Sequence, residues 1–97
     1  MNADALALVP TGYTTVDEDL RPALDRIAVL LFEKEPTKRG AWRSQAIAEH
    51  LRRLIAHARN AEQLLTYGPG FDVMLDEELA HMAARGLMAL TLKRADS

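Results

Sequence analysis

Arg43, His50 and His57 recur at intervals of seven, and Glu78, His81 and Arg85 follow one another at intervals of three and four. On a helix a step of seven closes about two turns and a step of three or four about one, so each set falls along one side of its helix. An arginine and two imidazoles along the edge of a cleft can hold a phosphate, the guanidinium supplying a bidentate contact. Glu78-x-x-His81 sets a carboxylate and an imidazole one turn apart, the spacing used by helical bundles that bind two metal ions. Arg85, four residues further on, can pair with Glu78 or grip an anion. The structural alternative is a set of half-buried imidazoles bonded to a backbone carbonyl or a neighbouring Glu. Glu-x-x-His is common by chance in helical proteins, and its members also serve as a satisfied polar network at an interface.

Other chemistries have little to stand on. The chain has no cysteine, which removes disulfides, thiolate metal sites and a cysteine nucleophile. Ser44 and Ser97 have no obvious base beside them, and no glycine-rich loop follows a strand, because no strand pattern exists. Trp42, the single tryptophan, anchors the start of a helix more readily than it stacks on a base. A net charge of −2 argues against affinity built on a dense basic surface. The run Ala5-Leu6-Ala7-Leu8-Val9 is too short for a secretory core and lacks a basic flank. No apolar segment approaches membrane-spanning length. A soluble protein of a reducing cytoplasm fits these features.

Three helices must position the candidate residues. At 97 residues, with 48% hydrophobic and only 5% aromatic side chains, the chain suits one domain of helices packed through Ala and Leu. Residues 1–16 hold Pro10, Gly12 and no sustained period, and read as an N-terminal arm; residues 17–97 read as a single helical domain. With Asp19 as N-cap, Pro22 falls in the first turn of helix one, where its missing N–H is harmless. Leu20, Leu24, Ile27, Ala28 and Leu31 then make its apolar stripe, and Glu35-Pro36 ends it. The second helix runs from Trp42 or Ser44 to Tyr67, burying Ile47, Leu51, Leu54, Ile55, Ala58, Ala61 and Leu65. Tyr67-Gly68-Pro69-Gly70 forces a turn. Asp72 is the expected N-cap of a third helix reaching about Lys93, with Asp76, Glu77 and Glu78 near its positive end.

This third helix is apolar on two sides. Leu75, Leu79, Met82, Ala83, Gly86 and Leu90 form the expected core face. Met74, His81, Met88 and Leu92 lie roughly opposite, with Glu78 and Arg85 beside them. A helix apolar on both sides is central in its bundle or buried by another subunit, and two further helices can hardly surround it. The reading is therefore an all-α, three-helix chain with an irregular arm that completes a helical bundle by homo-oligomerisation through the Met74 face. The competing reading is that the arm covers that face within a monomer. Gly86, mid-helix, suggests close approach of another helix backbone.

The Trp42-Arg43 start, the spaced His50 and His57, and Glu77-Glu78-Leu79-Ala80-His81-Met82-Ala83-Ala84-Arg85-Gly86 resemble a group of small phage helical proteins, the dATP/dGTP diphosphohydrolases. These lie near the MazG-like all-α nucleotide pyrophosphohydrolases. The resemblance spans roughly residues 20–92. It implies a homo-oligomeric four-helix core that splits a nucleoside triphosphate into monophosphate and pyrophosphate with Mg²⁺. Carried over, Glu78 and His81 stand at the catalytic centre, and Asp76, Glu77 and Glu78 hold the metal. Arg43, His50, His57 and Arg85 then hold phosphates or another ligand. The sequence departs from the family where its chemistry is concentrated: Glu-x-x-Glu and Glu-x-x-Asp pairs are missing. An alternative function follows from the same features, a non-catalytic helical oligomer of phage or mobile-element origin that binds a host protein or sequesters a nucleotide signal.

Overall fold

The computed structural model describes residues 15–38 and 40–96. Of the N-terminal arm, residues 1–14 lie outside this range. Among the described residues every regular element is helical, in keeping with the all-α expectation. A π-helical turn, Thr15–Leu20, leads into α1, Arg21–Lys38. A 3-10 turn, Ala41–Ser44, precedes α2, Ile47–Tyr67. A second 3-10 turn, Pro69–Phe71, leads into α3, Asp72–Ala95. None of these helices is long and apolar enough to cross a membrane. The chain divides into two compact units between Arg39 and Gly40.

In the first unit the helical backbone begins at Thr15, ahead of the expected cap at Asp19, so Thr15 and Val16 belong to a helix and not to the arm. Pro22 gives the reason. In an α-turn its ring would press on the carbonyl of Glu18 and offer it no N–H; the wider π-turn sends its hydrogen bonds one residue further back. Arg21 Nη2 donates to Asp17 Oδ1 at 3.2 Å, tying the wide turn to the first turn of α1. The helix also passes the expected stop and runs to Lys38. Only Thr37 and Lys38 follow Pro36, so the proline costs one backbone hydrogen bond close to an end. Ala28 and Leu30 are buried, Leu24, Ile27 and Leu31 are half-buried, and Leu20 is exposed.

The second unit is an antiparallel hairpin of α2 and α3. Its turn depends on Gly68, whose φ of 93° is open to glycine and strained for other residues. Phe71 N–H donates to the Gly68 carbonyl at 3.4 Å, and the Tyr67 and Phe71 rings meet at 5.2 Å across the turn. Phe71, not Asp72, occupies the N-cap position of α3, and Asp72 adds its negative charge to the first turn.

Burial departs from the expected stripes. On α2, Ala61 and Leu64 are buried, whereas Leu51, Ile55 and Leu65 are exposed. On α3 the buried residues are Ala80, Ala84 and Ala89, whereas Leu79 and Leu90 of the expected core face are exposed. The Met74 face was expected to meet another subunit, yet His81 and Arg85 on that side pack against α2 of the same chain. The physical reason is antiparallel folding: the turn brings one side of α3 against α2, and polar complementarity selects the side carrying Glu78, His81 and Arg85. Gly86 also differs from expectation. A Cβ built there would lie 3.6 Å from Leu54 Cδ1, an ordinary van der Waals distance, so no close helix backbone requires the glycine.

Candidate functional site: a polar seam between two helices

The hairpin aligns two sets of residues spaced by seven. Along α2 stand His50 and His57; along α3, running the other way, stand Arg85 and Glu78. His50 meets Arg85 and His57 meets Glu78. The same geometry brings Arg43 and Leu92 to one open groove, lined also by Gln45, Ile47 and Asp96.

At the first rung His50 is fully buried. Its Nε2 lies 2.9 Å from the Trp42 carbonyl. A carbonyl only accepts, so the ring proton sits on Nε2. Nδ1 is then an acceptor, and Arg85 Nη1 donates to it at 3.0 Å while also donating to Gln45 Oε1 at 2.8 Å. Burial pushes the Arg85 guanidinium below its ordinary range; the nearby charge of Arg53 adds to this and Glu49 opposes it.

This rung also explains why α2 starts later than expected. The Trp42 carbonyl accepts from Gln45 N–H at 3.3 Å and from the His50 ring, and Gln45 and Ala46 take extended backbone angles. The chain therefore leaves the 3-10 turn before α2 begins at Ile47. Ala46 gives no side-chain cap; the neighbouring Gln45 amide is spent on Arg85 instead. The edge of Trp42 meets the His50 ring at a centroid distance of 6.4 Å, and the Arg43 guanidinium lies 5.2 Å from the indole centre.

At the second rung His57 Nδ1–H donates to Glu78 Oε2 at 2.6 Å, and Asn60 Nδ2 reaches Glu78 Oε1 at 3.4 Å. The His81 ring stacks on His57 with centroids 5.1 Å apart and planes 15° from parallel. His81 Nε2 lies 3.6 Å from Glu77 Oε2, longer than a hydrogen bond.

The predicted residues thus come together only in part. His50, Arg85, His57, Glu78 and His81 meet along one seam. Arg43 stands apart at the groove, with the Asp96 carboxylate lining the same opening. Asp76 and Glu77 are exposed, and as neighbours of Glu78 on a helix they point to different sides. Mg²⁺ takes near-octahedral oxygen ligands. Of the three carboxylates only Glu78 faces the seam, and its two oxygens are engaged by His57 and Asn60. Among the described residues no three metal-ligating side chains are gathered; the residues present do not fit the ion. Sequence reasoning missed Gln45, Asn60 and the Trp42 carbonyl. The two amides had no special spacing, but the turn at Gly68 already implies that His57 faces the first half of α3 and His50 the second.

No family model matches this chain, and no curated protein or solved structure does.

Proposed function

We propose that the chain is a non-catalytic helical assembly module, in which the His/Glu/Arg seam holds the hairpin and its apolar outer side binds other protein. One observation carries this reading. The groups suited to chemistry are engaged with one another, while Leu51, Ile55, Leu65, Leu79 and Leu90 stand 45% to 67% exposed. Among the described residues of the hairpin only Leu64 is a buried large apolar side chain. A hairpin with so small a core gains stability by covering its remaining apolar surface, as small domains do by oligomerising.

The test is the solution mass by light scattering across a concentration series, with and without EDTA. A mass of two or more chains that ignores EDTA is expected. A one-chain mass throughout overturns the reading.

The MazG-like pyrophosphohydrolase reading stands second, supported by the His57–Glu78 bond and the His81 ring stacked on His57 at one edge of the seam. Pyrophosphate release from a panel of deoxynucleoside triphosphates with Mg²⁺ or Mn²⁺ tests it. Sequestration of a nucleotide would register as thermal stabilisation that survives EDTA.

A further inference from the structure

We propose that α3 pairs with α3 of a second copy, the two helices running antiparallel about a two-fold axis at the level of Arg85. This rests on the assembly reading above, and adds the partner, the contact stripe and the orientation.

Asp76, Leu79, Ala83, Leu87, Leu90 and Arg94 follow each other at steps of three or four, which places them along one side of α3. Leu79, Leu87 and Leu90 are 45%, 42% and 55% exposed, and Asp76 and Arg94 are exposed as well. The stripe is self-complementary when reversed. Asp76 and Arg94 are equally far from position 85, and so are Ala83 and Leu87. Leu79 and Leu90 are centred within half a residue of the same point.

An axis there sets Asp76 against the partner's Arg94, Leu79 against the partner's Leu90, and Ala83 against the partner's Leu87. The last contact puts a small side chain opposite a large one, so the surfaces interlock. A two-fold interface uses one patch twice, so each charge pair occurs twice, at the two ends of a contact roughly 27 Å long at 1.5 Å per residue. A parallel pairing would instead oppose Asp76 to the partner's Asp76 and Arg94 to the partner's Arg94. Charge complementarity therefore selects the antiparallel arrangement.

Leu51 and Ile55 of α2 extend the same apolar side. Leu54 and Gly86 meet at one edge of the seam and His57 and His81 at the other, and the exposed leucines of both helices lie beyond the Leu54 edge.

Charge reversal tests this by sedimentation equilibrium at one fixed ionic strength. D76R and R94D alone should each weaken the dimer about tenfold or more, since each puts like charges at both ends. An equimolar mixture of D76R and R94D should recover wild-type affinity, because both end contacts in the mixed dimer are again opposite in sign. The double variant D76R/R94D should recover it too. Leu90→Asp should give a monomer, and circular dichroism should show wild-type helicity for every variant. Charge variants that associate like wild type, or fail to recover on mixing, overturn the α3 pairing while leaving a wild-type oligomer, and the assembly reading, in place. A wild-type chain that stays at one-chain mass overturns both.

Discussion

Toward α2, helix α3 carries Glu78, His81 and Arg85; away from it, the same helix carries Leu79, Leu87 and Leu90. The inner side holds its neighbour by directed hydrogen bonds, several between charged and neutral groups, whereas the outer side offers apolar area without direction. Buried polar groups are stable only when their partners are supplied. At His50 both ring nitrogens are supplied. The difference is one of chemistry: the carboxylate, imidazole and guanidinium groups bond across to the neighbouring segment, and the leucines stand exposed.

The comparison breaks most easily at His50. His50→Ala removes a fully buried ring and leaves the Arg85 and Trp42 contacts without it, so urea unfolding at fixed protein concentration should show a loss of about 3 kcal/mol. A loss under 1 kcal/mol would mean that the inner rung contributes little cohesion. At the more open second rung Glu78→Ala should cost about 1 kcal/mol by the same measurement. It should leave the assembly mass unchanged, which separates the seam from the outer side. Gly86→Ala sharpens the picture in the other direction. Its Cβ meets Leu54 at an ordinary distance, so the variant should gain about 0.5–1 kcal/mol from helix propensity; a destabilised variant would mean the helices sit closer than described.

The smallest effect is electrostatic. A hydrogen bond from Arg52, then one from Arg53, holds Glu49 below its ordinary value of 4.5. A carboxylate lowered on folding stabilises the fold above its unfolded pKa, and that contribution disappears as pH falls through the lowered value. Glu49→Gln should therefore flatten this part of the acid limb of the stability curve slightly, with solvent screening keeping the change small. An acid limb unchanged by the substitution would show that the Glu49 pairs contribute nothing.

The three helices and the Gly68 turn were legible because periodicity, proline and glycine act locally. The ends were less so: Pro22 and Pro36 are absorbed by a widened turn and a last turn, outcomes that depend on hydrogen bonds several residues away. The grouping of Arg43, His50 and His57 followed from spacing, but their separate fates did not. His50 is sealed by a carbonyl eight residues back, and that bond exists only because the chain breaks at Gln45 and Ala46. The choice of inner face on α3 escaped notice for a related reason. Leu79 and Leu90 are more apolar than His81 and Arg85, yet it is the side with the matched polar spacing that meets α2.

The two rungs have one more consequence. Alanines are interchangeable, and a seam built from them alone would let α3 slide along α2 by a turn at little cost. With His50 on Arg85 and His57 on Glu78, a one-turn slip breaks both bonds together and strands a guanidinium and a carboxylate. The rungs act as a vernier, holding the two helices at a single axial setting and thereby fixing how the outer leucines line up.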